Sequence, residues 1–144
     1  AHFNRVKVDA TLHLGDFVSP FALAPFARLH SPLHAVYGNN DGERQGLAAT
    51  FARHGWRLAE RPHELTLGRW KIAMLHEPGP VERYAARGDC RLIAYGHLHK
   101  PHEERRGETL IVSPGEGCGW ITGVAQVAVV DLETGEVKFE ILDI

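Results

Sequence analysis

The chain has 144 residues, with 16 Lys and Arg against 18 Asp and Glu and a net charge of −2. That length suits one domain, 1–144, with a core of its own, and the balanced charge gives no footprint for bulk nucleic-acid binding. No apolar stretch reaches the roughly 18 residues of a membrane span, and two cysteines, Cys90 and Cys118, are too few and too far apart for a disulfide framework, which points to a reducing cytoplasm.

Ala1-His2-Phe3-Asn4 reads as the tail of a helix leading into the apolar run Ala10-Thr11-Leu12-His13-Leu14, which stops at Gly15-Asp16. Ser19-Pro20 has the form of an N-cap with proline at the first helical position, predicting a helix to Leu29 that Pro25 bends or delays. Leu33 to Tyr37 is strand-like and ends at Gly38-Asn39-Asn40-Asp41. Residues 42–54 carry Leu47 and Phe51 four apart, a second helix that ends at Gly55. Glu64 to Leu67, a turn at Gly68-Arg69 and the run Trp70 to Leu75 are strand-like and end at His76. Pro78-Gly79-Pro80 breaks the chain, and Val81 to Arg87 predicts a short helix before Gly88-Asp89. Arg91 to Tyr95 is a further apolar run, ending at Gly96-His97-Leu98-His99. Beyond Gly96 the pattern reads as antiparallel, with strands over 109–112, 124–132 and 137–142 and a turn at 133–136. Strands alternating with helices in the first half predict βαβ units and a parallel sheet.

Four strand-like segments therefore deliver a carboxylate, an amide oxygen and three imidazoles to their C-terminal ends, the edge where α/β sheets build their sites. His97 and His99, one residue apart, would face opposite sides of a strand. Just past a strand end, where Gly96 lets the backbone turn, they can reach two different ions, as a dinuclear centre requires.

Gly15-Asp16, Gly38-Asn39, His76 and Gly96-His97-Leu98-His99, in that order, resemble the motif series of the calcineurin-like metallophosphoesterases, and within them the small bacterial and archaeal phosphodiesterases. The resemblance runs over nearly the whole chain. It implies an α/β fold, a four-layered αββα sandwich of two mixed sheets flanked by helices, and hydrolysis of small phosphodiesters by a bridging hydroxide between two divalent metal ions. Carried over residue by residue, one ion takes Asp16, Asn39, His76 and His97, and the other takes Asp16 and His99. Manganese is the first choice by resemblance, with iron, zinc and nickel as alternatives, since mixed oxygen and nitrogen donors do not select sharply. The expected partner is a small phosphodiester substrate, with no membrane partner; homo-oligomerisation is left open.

Two departures stand out. The family's opening Asp-x-His motif is missing from this chain, so the first strand, with two further ligands of the second ion, is expected upstream of Ala1. Asn40 occupies the place where many relatives carry a catalytic His, and an amide cannot titrate, so esters with good leaving groups should be favoured. Asn40 and Asp41 are thus supporting catalytic candidates only. For Asp41, a helix N-cap is the plainer role and holding the loop or a water the functional one. His13 reads as a packed or edge histidine, and His30 and His102 as surface groups. Cys118, in a glycine-rich segment, reads as an idle thiol, and Ser113-Pro114-Gly115 only weakly resembles the family's Asn-Pro-Gly turn.

The competing class is a non-catalytic scaffold or binding module on the same fold, as in the retromer subunit that resembles this family. Its lack of the corresponding His is shared with Asn40. The set Asp16, Asn39, His76, His97 and His99 favours an enzyme, because a scaffold has less use for five placed ligands.

Overall fold

A computed structural model describes residues 1–143. Helix α1 (His2–Val6) precedes strand β1 (Thr11–His13), a 3-10 helix over Pro20–Arg28 precedes β2 (Leu33–Val36), and α2 (Arg44–His54) precedes β3 (Arg57–Ala59). These three strands form a parallel sheet in the order β1-β2-β3, with Thr11 opposite Leu33 and His34 opposite Arg57. A second sheet contains β4 (His63–Leu67), β5 (Trp70–Met74), β6 (Leu92–Ala94), β7 (Pro101–Arg106) and β8 (Thr109–Pro114). Its order is β4-β5-β6-β8-β7, and α3 (Val81–Arg87) crosses between the parallel neighbours β5 and β6. Strands β9 (Gln126–Val130) and β10 (Val137–Ile141) form an antiparallel ribbon.

Period-two alternation along the strands sorts their side chains into three apolar clusters, one for each space between four layers. On β2, Leu33 and Ala35 pack outward with Leu23 of the 3-10 helix and Leu47 and Phe51 of α2. Val36 turns the other way, toward Ile72, Met74, Leu92, Ala94, Leu110 and Val112, and Ala128, Val130 and Val137 of the ribbon pack into the same cluster. Ala73, Ile93 and Ile111 point to the far face, where Val81 and Tyr84 of α3 cover them. The expected αββα layering results. Among the described residues, the layer that holds β1 consists of two separately hydrogen-bonded pieces, β1-β2-β3 and the ribbon.

Two local expectations need correction, and one strand carries no sequence signal. The segment after Ser19 winds as a 3-10 helix, and Ser19 makes no side-chain cap bond. Pro25 lacks an N–H and its ring crowds the carbonyl four residues earlier, so an α-helical ladder cannot run through the segment. Strand β7 had no hydrophobic signature: Pro-His-Glu-Glu-Arg-Arg is exposed along most of its length and pairs only with β8, at the sheet edge. Nor is the chain beyond Gly96 wholly antiparallel, because β8 runs parallel to β6, with Leu92 opposite Leu110, after β7 has reversed the chain. Among the described residues no helix is long and apolar enough to cross a membrane.

Candidate metal centre

All five expected ligands lie just past strand ends. Asp16 follows β1, Asn39 follows β2, His76 follows β5, and His97 and His99 follow β6. The first two strands belong to one sheet and the last two to the other, so the candidate centre sits where the sheets' C-terminal edges meet. His76 joins them: its ring is buried at 2% exposure, and Nδ1 lies 2.6 Å from the Leu14 carbonyl at the end of the facing sheet. The Gly96 N–H donates to the His76 carbonyl at 2.9 Å and ties the two histidine loops together.

A carbonyl only accepts, so Nδ1 of His76 carries the proton and Nε2 turns a lone pair inward. That Nε2 is 2.7 Å from Asn39 Oδ1, 3.2 Å from His97 Nδ1 and 3.4 Å from Asp16 Oδ2, and His97 Nδ1 is 3.1 Å from the same Asn39 oxygen. The ligand atoms of Asp16, His76 and His97 all lie within 4.8 Å of one another. Asp16 Oδ2, Asn39 Oδ1 and His76 Nε2 converge as acceptors, and His97 Nδ1 joins them as a ligand atom when its ring proton sits on Nε2. Donors about 2.1 Å from an ion in octahedral or tetrahedral array are themselves about 3.0–3.4 Å apart; the separations of 3.1, 3.2 and 3.4 Å fall in that range and that of 2.7 Å is shorter, so Asp16, His76 and His97 could hold a metal ion with Asn39 beside them.

His99 is outside this group. Its Nδ1 lies 3.7 Å from Oε2 of Glu116, so the two histidines of the tetrapeptide serve different places. Both, and Asp16, hold left-handed backbone, with φ of 65° at His97, 56° at His99 and 62° at Asp16. Side-chain-bearing residues avoid that region, and its cost is tolerated mainly where a site over-determines the backbone.

Asp41 does not cap α2, whose N-cap position is Glu43. Its carboxylate, 5% exposed, accepts N–H bonds from Gly38 at 2.6 Å, Asp16 at 3.0 Å and Val18 at 2.9 Å, and so pins the loop after β1 to the loop after β2. The loops touch so closely that Gly38 has no room for a side chain: a Cβ there would collide with the Asp16 backbone nitrogen and Oδ1 and lie 2.8 Å from Cγ. Gly38→Ala should therefore displace Asp16 and cost on the order of 2–4 kcal/mol. Denaturant unfolding measures this, and an unchanged midpoint would refute the close approach. Asn40, at the exposed mouth, gives its backbone N–H to Asp16 Oδ1 at 2.8 Å, with its side-chain amide 3.5 Å from Oδ2.

Two supports carried no motif signal. Arg61 grips Glu77 with two bonds of 2.8 Å, from Nε and Nη2, and gives Nη1 to the Gly38 carbonyl at 3.2 Å, bracing the Asn39 loop against the residue after His76. The Arg61 fork outweighs partial burial and holds the Glu77 carboxyl at about 2. The other support is Glu116: burial raises its pKa, but N–H bonds from Ile121 and Thr122, each 2.8 Å, bring it down to about 2. Adjacency of Glu77 to His76, and of Glu116 to Pro114-Gly115, were the only available hints.

His13 is a packed ring, as expected, stacked 3.8 Å from Phe17 with Nδ1 accepting the Gly15 N–H at 3.2 Å. Desolvation pushes its pKa down to about 4, against the pull of Asp41 and Asp16. Between about pH 6.5 and 4 the unfolded chain binds a proton that the folded ring refuses, so stability falls as pH drops through that window and levels off below it. The share belonging to His13 is at most about 3 kcal/mol. Unfolding titrations of the wild type and His13→Gln should differ in slope only there, and parallel profiles would rule the contribution out.

The chain matches the family profile of the calcineurin-like phosphoesterase superfamily domain over residues 1–135. It is 30% identical over 144 residues to a phosphodiesterase of Methanocaldococcus jannaschii, covering 98% of this chain and 87% of the relative. Among solved structures, an archaeal phosphodiesterase superposes with a TM-score of 0.90 at 30% identity, covering 98% of this chain and 87% of its own. Vacuolar protein sorting 29 from Cryptosporidium parvum superposes with a TM-score of 0.62 at 17% identity over 97% of this chain and 86% of its own, a likeness of fold alone. Motif order and layered fold agree with these matches: the chain belongs to the calcineurin-like phosphoesterase superfamily, a metal-dependent family.

Proposed function

We propose that this protein is a metal-dependent phosphodiesterase of the cytoplasm, acting on small diesters at a dinuclear centre. The observation that supports the reading is the convergence of Asp16 Oδ2, Asn39 Oδ1, His76 Nε2 and His97 Nδ1, four atoms able to ligate a cation. These four hold one ion, and Asp16 with His99 contributes to a second. Manganese is the proposed metal, in keeping with two oxygen and two nitrogen donors. A bound pair of divalent cations would supply an acidified water and neutralise the phosphoryl oxygens.

The protein's own residues supply orientation. The Leu14 carbonyl fixes the His76 tautomer, and the Asn40 N–H holds one Asp16 oxygen so that the other faces the histidines. The Arg61–Glu77 brace keeps the loops from the two sheets at their spacing. The Asn40 amide stands at the mouth without a proton to release at ordinary pH. The test is hydrolysis of bis(4-nitrophenyl) phosphate by protein stripped with a chelator. Turnover should vanish and return with manganese, and turnover that persists in chelator overturns the proposal.

A further inference from the structure

Glu116 organises a loop that the chemistry above does not use. The carboxylate is 5% exposed and accepts N–H bonds from Ile121 and Thr122 at 2.8 Å each, and the Cys118 thiol at 3.2 Å. The Gly123 N–H closes the turn onto the Gly119 carbonyl at 3.0 Å, and Gly119 (φ +67°) packs so tightly that a Cβ would lie 2.8 Å from the Ala125 nitrogen. The Glu116 carbonyl in turn accepts the Gln126 N–H at 2.7 Å, anchoring the loop to β9.

This braced turn carries Trp120 at 89% exposure and Ile121 at 70%. A large aromatic left in water on an anchored turn costs solvation without adding to the core. Its location gives it a use. The carboxylate that holds the Ile121 N–H also lies 3.7 Å from His99 Nδ1, so the turn is one side chain away from the candidate centre. Leu98, between the two histidines, is exposed as well, at 49%. Two loops that meet at the Glu116–His99 contact thus present apolar side chains to solvent beside a site built for a charged phosphate.

We propose that Trp120 is a specificity-determining residue: its indole forms a preorganised platform for an aromatic or nucleobase group on the substrate phosphorus, seated next to His99. The proposal rests on the phosphodiesterase reading above. Because the platform is held by Glu116 before substrate arrives, stacking requires little loop ordering, and selectivity should be visible in binding as well as turnover.

The test compares bis(4-nitrophenyl) phosphate with methyl 4-nitrophenyl phosphate, which share a leaving group and differ in the group retained on phosphorus. The wild type should prefer the bis-aryl ester, and Trp120→Ala should shrink the ratio of kcat/KM between the two by about tenfold, whereas Trp120→Phe should keep most of it. Calorimetric titration of manganese-loaded protein with phenylphosphonate and methylphosphonate reads the same preference without turnover. If neither diester is hydrolysed, the functional reading fails while the binding comparison still decides the role of Trp120. An unchanged ratio in Trp120→Ala, or a Trp120-dependent dimer in light scattering with no change in ligand preference, overturns the proposal.

Discussion

Asp16→Ala should lower manganese-supported diester turnover by on the order of 10³-fold or more, because removing a ligand of the centre forfeits several kcal/mol of charge stabilisation. The geometry makes the loss twofold in kind. Oδ2 faces His76 Nε2 at 3.4 Å and would carry the metal charge, while Oδ1 takes the Asn40 N–H at 2.8 Å and fixes the mouth of the site. Asp16→Asn separates the two: it can preserve the contact with Asn40 yet removes the negative charge, so it should fall between wild type and Asp16→Ala. His97→Ala should behave like Asp16→Ala, since Nδ1 is one of the four convergent candidate ligand atoms. His30→Ala is the control. Its only described hydrogen bond is from the backbone N–H to Asn4 Oδ1, 3.0 Å, and turnover should stay within about twofold of wild type. Manganese titration with circular dichroism of each variant distinguishes lost metal from lost fold, and full activity in Asp16→Ala would refute the centre.

The candidate ligands are legible in the sequence because each follows an apolar run whose end is marked by glycine or by a change in polarity. Strand period and turn chemistry are local, and they place Asp16, Asn39, His76, His97 and His99 at strand ends. What the chain spacing could not give was contact between distant segments. Arg61 and Glu77 are 16 residues apart and bond to brace loops from two sheets, and nothing in Arg61-Pro62 announces it. Asp41 looked like a helix cap because it precedes a helix; the cross-loop contact with Val18, 23 residues away, decides its role instead. Strand β7 was invisible for a different reason, since an edge strand exposed along most of its length has no alternation to read. The layering was more accessible, because the alternation of Ile72, Ala73 and Met74, or of Leu92, Ile93 and Ala94, assigns each side chain to one of two apolar clusters.

Asn40→His should raise turnover of the poorest leaving groups by something like 10²–10⁴-fold where the imidazole reaches the departing oxygen, the range typical of a positioned general acid. The position of Asn40 supports the substitution: the side chain is at the exposed mouth, and its contact with Asp16 is made mainly by the backbone N–H, which any residue but proline retains. On the proposed function, the departing oxygen of the unmodified protein would leave without a proton from position 40. Across a series of aryl diesters, log kcat should therefore fall steeply as the leaving group's pKa rises, because negative charge on that oxygen goes unneutralised in the transition state. Adding the imidazole should flatten the slope and give the rate a new pH limb where the histidine titrates. If Asn40 only shapes the pocket, Asn40→His would shift every ester by a similar factor and leave the slope alone. A shallow slope in the wild type would count against the reading from the other side. It would point to a water as the proton source, because the Asp41 carboxylate is committed to the N–H groups of Gly38, Asp16 and Val18 and is 5% exposed, out of reach of a leaving group at the mouth.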